Sequence, residues 1–283
     1  MTRRVVGASI LPFCIDPQSM GIYFLLAQER HCLAWPAGSL TWSDFGGSVD
    51  AQDDGCAPRC AAREFHEESM AMVPFDDDEV STPAQIAARG TRTNYNGVAR
   101  DLMNGCYTIA VNTLVSVGHV YVTYVKQVPW FPVAQPLFAR VRELAKQCNT
   151  SAGSADAVSP LPLHTICNVS NGGSHVVADS YLEKARIRLF SVPQLRHMLA
   201  QVGWRSSTER LRWGFHRRLQ VILDQFPRDG NPTCVRGRNG AKIGVDTYQN
   251  KFLYNGRKKN QRSQRNQRNH AVQTKDGPDP ASR

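Results

Sequence analysis

The chain has 283 residues, 41% of them hydrophobic, enough for one substantial core plus a tail or for two small domains. Its net charge of +10 is uneven: Arg228 to Arg283 holds 13 Lys/Arg against 4 Asp/Glu, which leaves the body before it near neutral. A uniformly polycationic body is thereby excluded, and no run reaches the ~18–20 apolar residues of a membrane span.

Met1-Thr2-Arg3-Arg4 precedes a short apolar run broken by Pro12 and Asp16, which argues against a signal peptide. The eight cysteines (Cys14, Cys32, Cys56, Cys60, Cys106, Cys148, Cys167, Cys234) show no CxxC pair and no His-containing zinc spacing. Reduced thiols in an intracellular, cytoplasmic protein are expected, with the nucleus open through the basic tail. Cys56 and Cys60, four residues apart, are expected to pack in the core.

Val5–Ile10 and Gly21–Ala27 read as strands. Residues 31–45, with Trp35, Pro36, Gly38, Trp42 and Phe45, form an aromatic-rich approach to Gly46-Gly47, where backbone N–H groups could come close to a phosphate. A loop over 48–56 leads to a helix over 57–70, with Pro58 in its first turn and Asp54 or Gly55 near its cap.

On that helix Glu64, Glu67 and Glu68 share a quarter to a third of the circumference, beside the stripe of Ala61, Phe65 and Ser69. Like charges at this spacing repel, and a hard divalent cation is the usual remedy. The bland alternative is a solvated acidic face with Arg63 paired to Glu67.

Residues 73–105 read as an insertion over the domain face, with a short helix at 81–88 and the acidic run Asp76–Glu79 solvated. Residues 106–115 and 119–128 predict a hairpin, and 135–148 a helix. A second insertion covers about 149–172, followed by a strand or hairpin over 167–177 turned by Asn171-Gly172-Gly173. Residues 180–191 alternate as a strand, a helix starts after Pro193, and 210–225 forms another with Leu211, Phe215, Leu219 and Leu223 at helical spacing.

The tail from 228 lacks a core pattern. Arg257, Lys258, Lys259, Arg262, Arg265 and Arg268 make it polar, basic and low in complexity, a composition that favours disorder. Such a run gains affinity for RNA by counterion release. Nuclear import and simple solubilisation are competing uses. Tyr248, Phe252 and Tyr254, interleaved with Lys242 and Lys251, suit stacking on unpaired bases.

Gly47, Asp53 and Arg63-Glu64-Phe65-His66-Glu67-Glu68 resemble the Nudix box. Asp53 stands where the first Glu is expected, nine residues rather than seven separate it from Arg63, and Ser69 replaces the second Gly. The segment Leu182-Glu183-Lys184 … Leu189-Phe190-Ser191 is similar to that of mRNA-decapping Nudix proteins of large DNA viruses. The resemblance implies a Nudix α/β/α sandwich over residues 1–227, a mixed sheet between helices, and metal-dependent hydrolysis of a diphosphate bond.

It also implies Mg²⁺ or Mn²⁺ held by Glu67 and Glu68, with Glu64 as ligand or water-orienting base, Glu183 as an additional carboxylate, and Arg63 orienting Glu67. A surface pairing of Glu183 with Lys184 or Arg186 is the alternative. Glu68→Gln is then expected to abolish turnover and leave the fold intact. Among substrates, capped RNA leads, decapped to methylated GDP and a 5′-monophosphate end, with Trp35, Trp42, Phe45, Tyr23 and Trp130 as cap-stacking candidates. A pyrophosphatase of nucleotides, dinucleoside polyphosphates or diphosphoinositol polyphosphates, and an inactive RNA-binding module, are the alternatives. Oligomeric state is not legible, and no membrane association is expected.

Overall fold

Near-continuous apolar runs in the first two strands signal burial on both faces, and the structure shows why. In this computed structural model, which describes residues 3–75, 95–151, 177, 179–201, 209–227 and 241–246, β1 (Arg4–Ile15) runs through the middle of an eight-stranded sheet. Ala8, Ile10 and Cys14 face one hydrophobic cluster, Leu11 and Phe13 the other.

β1 pairs with β2 (Ile22–Glu29) only where Phe13–Ile15 meets Ile22–Phe24. The two strands then part. β3 (Trp42–Ser43) takes the freed edge of β2, and β4 (Phe45–Ser48) takes that of β1, pairing Ser9 with Gly46 and Ala8 with Gly47. This fork in the sheet carries the glycine pair.

Helix α1 (Ala57–Glu68) and α2 (Tyr95–Met103) cover one face. Phe65 anchors α1: it is fully buried between Phe45 and Phe75, with ring centroids 5.4 and 6.0 Å away, a burial whose loss on truncation to Ala costs ~3–5 kcal/mol. β5 (Ile109–Ser116) and β6 (His119–Gln127) form the expected hairpin, turned at Gly118 with φ 74°, and β6 lies parallel to β1. α3 (Ala134–Ser151) follows.

β7 (Lys184–Ser191) pairs antiparallel with β2 and runs directly into α4 (Val192–Ala200). Ser191 Oγ accepts from the Gln194 N–H while Gln194 Oε1 accepts from the Ser191 N–H, a reciprocal cap that starts the helix one residue before Pro193. α5 (Trp213–Leu223) buries Phe215, Leu219, Ile222 and Leu223 on the second face. The architecture is an α/β/α sandwich with a mixed sheet.

Two elements were not expected. Within the stretch read as the first insertion, residues 95–103 form α2, whose Val98, Ala99 and Leu102 are buried. Within the stretch after 227, β8 (Ala241–Asp246) lies beside β5, and one compact unit extends to Val245. The helix at 81–88, the acids 76–79, residues 152–172 of the second insertion, the Asn171-Gly172-Gly173 turn and the basic residues Arg257 to Arg268 lie outside the described residues. Among the described residues no helix is long and apolar enough to cross a membrane.

Candidate active site

The loop before α1 is built to hold one aspartate. Asp50 caps a 3₁₀ turn (Ala51–Asp53), and its own N–H donates to Asp53 Oδ2 at 2.8 Å. Asp54 and Gly55, at φ 52° and 69°, then turn the chain into α1, whose N-cap is Cys56 rather than Asp54 or Gly55. Asp53 is thus fixed, 2% exposed, opposite Arg63.

Arg63 binds it with two parallel bonds, Nε to Oδ1 at 3.1 Å and Nη2 to Oδ2 at 2.9 Å, the fork geometry that guanidinium favours. Nη2 also donates to Ser48 O at 3.0 Å, while Nη1 lies 3.0 Å from Glu64 Oε1 and 3.4 Å from Glu67 Oε2. Arg63 therefore organises three carboxylates, not Glu67 alone. Burial opposes charge on Asp53, but the bonds and charge of Arg63 outweigh it and hold the carboxyl below its usual range.

The glycine pair has a packing role. A Cβ on Gly46 would fall 2.2 Å from Ser9 Cβ, and one on Gly47 would fall 2.4 Å from Glu64 Oε1. The Gly46 N–H does not face an open phosphate site; it donates to Glu68 Oε2 at 2.6 Å. The other oxygen of Glu68 lies 2.8 Å from Lys184 Nζ, which also sits 2.7 Å from Glu29 Oε1. Burial pushes Glu68 up to about 8 in spite of Lys184, and burial works against charge on Lys184 until the two carboxylates lift it.

Glu64, Glu67 and Glu183 line a cavity of about 480 Å³, together with Gly47, Ser48, Asp50, Arg63 and Arg212. That size suits a nucleotide-sized group. Burial, and then the charges of Glu67 and Glu183, raise Glu64 to about 7 against the pull of Arg63. Burial raises Glu67 as well, with Glu183 adding to it. Lys184 points inward and Arg186 Nε donates to Gln28 Oε1 at 2.7 Å, so neither pairs with Glu183.

The segment bearing Glu183 is tied to α1 through Tyr181 Oη and His66 Nδ1, 3.2 Å apart. Cys60 packs as expected: its thiol donates to Gly47 O at 3.8 Å, and burial pushes it up to about 12.

The aromatic candidates separate. Trp42 and Phe45 are 0% exposed and cannot stack on a ligand. Tyr23 and Trp130 pack on each other, 5.4 Å between centroids, and neither lines the cavity. Trp35 alone of the five lines the cavity.

The departure assigned to Ser69 belongs to its neighbour. Counted along the pattern, the glycine position is Met70, which takes the left-handed conformation a glycine would, φ 57°, and is fully buried. Burying a methionine gains ~1.5–3 kcal/mol, against ~1–2 kcal/mol for that backbone. Sequence reading also missed Glu29, Lys184 and Arg212. The only signal was Lys184 and Arg212 standing beside apolar positions that the fold buries.

Glu64, Glu67 and Glu183 line the cavity and are carboxylates, the donor type a hard divalent cation takes. As placed, the carboxylates engage Arg63 and Lys184. Among the described residues no group of three or more His, Cys, Asp or Glu side chains is arranged to hold a metal ion. Of the carboxylates lining the cavity, Glu29 and Glu68 are held by Lys184, and Glu64, Glu67 and Glu183 are the remaining glutamates.

No protein-family model matches the chain, and no curated protein matches it. Solved structures similar to it include the Nudix hydrolase RenU of M. smegmatis, with a TM-score of 0.34 and 15% identity over 80% of this chain and 91% of that one. The Nudix domain of Shewanella oneidensis NrtR, complexed with ADP-ribose, gives 0.35 and 11% over 80% and 89%. A Nudix hydrolase of Alicyclobacillus acidocaldarius gives 0.37 and 11% over 87% and 100%.

Proposed function

We propose that the chain is a divalent-cation-dependent Nudix-type hydrolase that cleaves the diphosphate linkage of a nucleotide-type substrate. The observation that carries this reading is the placement of Glu64: it lines the cavity, abuts Gly47, and has Oε1 held 3.0 Å from Arg63 Nη1.

A carboxylate so placed, with burial raising its affinity for protons, can take one from an attacking water. Arg63 fixes its Oε1, so the proton goes to Glu64 Oε2. Glu67 and Glu183 would supply oxygen donors for Mg²⁺ or Mn²⁺, and polarisation of phosphoryl oxygens is what such an ion would contribute when bound. Glu68 acts from behind: through Gly46 and Lys184 it locks α1 to the fork of the sheet. The cavity accommodates a nucleotide end rather than a polymer.

The +9 balance of residues 228–283 favours one particular substrate, the 5′ cap of RNA, with the chain's basic residues holding the polymer while its end enters the cavity. Incubation with Mg²⁺ or Mn²⁺ and cap-labelled RNA, beside free cap analogue, ADP-ribose, dinucleoside polyphosphates and diphosphoinositol polyphosphates, tests the proposal. Cleavage of RNA alone supports decapping, cleavage of small diphosphates supports the general activity, and RNA binding without any turnover contradicts both.

A further inference from the structure

A diphosphate is a multiply charged anion, and the cavity that would receive it is lined by Glu29, Asp50, Glu64, Glu67, Glu68 and Glu183. Beside the divalent cation of the proposed function, a side-chain cation with free donors can meet it directly. Three cations stand in or behind the cavity. Arg63 spends all three nitrogens on Asp53, Glu64, Glu67 and Ser48 O. Lys184 is 1% exposed and lies between Glu29 and Glu68. Arg212 remains. Its side chain is 39% exposed, its Nη1 lies 3.2 Å from Glu29 Oε1, and among the described residues its Nε and Nη2 carry no hydrogen bond.

Arg212 is also held in place. Its N–H donates to Trp42 O at 2.8 Å, and the Trp42 N–H donates to Arg210 O at 2.7 Å, so the backbone is stitched to β3. On α5, which this segment leads into, Arg218 grips buried Asp44 with Nη2 at 3.1 Å from both carboxylate oxygens. The guanidinium of Arg212 lies over the Trp35 ring, 4.8 Å from its centroid. Trp35 in turn packs so closely on Gly38 that a Cβ there would fall 2.1 Å from the ring. A guanidinium stacked on a ring and tethered at one nitrogen has lost much of its rotamer freedom before any ligand arrives, which lowers the entropic cost of binding.

We propose that Arg212, seated on Trp35 and tethered to Glu29, is a substrate-binding residue that donates through Nε and Nη2 to a phosphate oxygen. This rests on the hydrolase reading and adds to it the residue that recognises the substrate's phosphate. Trp35 acts here as the support of Arg212.

The test is calorimetric titration of the full chain with α,β-methylene-ADP, a diphosphate that cannot be cleaved at that linkage, and with adenosine as the phosphate-free control. Arg212→Ala should weaken binding of α,β-methylene-ADP by about tenfold or more and leave adenosine unchanged. Arg212→Lys, which keeps the charge without the fork, should recover part of that loss. Trp35→Ala should weaken α,β-methylene-ADP binding less than Arg212→Ala does. Melting curves of each variant confirm the fold.

Binding of α,β-methylene-ADP to Arg212→Ala within twofold of the unaltered chain overturns the proposal, as does an equal loss for adenosine or no binding of α,β-methylene-ADP by the unaltered chain. None of these results touches the hydrolase reading, which falls only if the unaltered chain turns over no diphosphate.

Discussion

Lys184 Nζ lies 2.8 Å from Glu68 Oε1, with the two side chains 1% and 3% exposed. A pair this deep is costly to break, since the partner left behind is a stranded buried charge. Lys184→Met should therefore lower stability by about 3 kcal/mol, because Glu29 and Glu68 then face each other with no cation between them. Glu68→Gln should cost less at pH 7, because burial already raises Glu68 to about 8 and Lys184 keeps Glu29. Urea melts of both variants check this. Stability of Lys184→Met equal to the unaltered chain would remove the pair from its locking role.

Asp53 and Arg63 make a pH-dependent contribution of the opposite kind. Because the folded-state pKa of Asp53 lies below its unfolded value, its contribution is present above the ordinary Asp pKa and is lost as pH falls through the folded value. Asp53→Asn should lower the melting temperature at pH 7 and flatten the acid limb of the stability curve below about pH 4. An unchanged acid limb would show that the forked ion pair contributes nothing.

For Glu64, Glu67 and Glu68 the sign reverses. Their folded pKa values are raised, Glu64 to about 7 and Glu68 to about 8, so the favourable contribution is full below the unfolded pKa and is lost as pH rises through the folded values. In chelator the melting temperature should fall from pH 5 to pH 8. Mg²⁺ or Mn²⁺ competes with protons for the same oxygens, so the gain in melting temperature on adding it should grow over that interval. A cation effect independent of pH would argue against these carboxylates as its ligands.

Much of this site was legible because α1 carries its signal in periodicity: Phe65 on the buried stripe and three glutamates beside it. Asp53 was legible only as a departure in the pattern, since its value depends on a loop that brings it back to Arg63. Lys184 was not legible. In an alternating strand a lysine reads as solvent-facing, and only β2 and α1, distant in sequence, supply the carboxylates that draw it inward. The same non-locality hid Arg212, placed by backbone bonds to Trp42. α2 was missed because Asn96 and Gly97 mask the Val98, Ala99 and Leu102 stripe. β8 was missed because a short strand at a sheet edge needs a partner, here β5, that no local pattern announces.

Tyr181 and His66 tie the segment carrying Glu183 to α1. Tyr181→Phe removes one hydroxyl and little packing. Loss of a group that orients a ligand side chain typically costs about tenfold or more, so kcat should fall by roughly that factor, with a melting temperature within a few degrees of the unaltered chain. Unchanged kcat would show that Glu183 needs no such tether.

The central claim is that Glu64 is the proton acceptor in a cation-dependent diphosphate cleavage. Glu64→Gln removes its charge and keeps its shape. On whichever diphosphate the unaltered chain cleaves with Mg²⁺ or Mn²⁺, kcat should drop about 10²-fold or more, while the melting temperature in chelator at pH 8 rises, because a buried charge beside Glu67 is gone. Turnover by Glu64→Gln at the level of the unaltered chain would contradict the account.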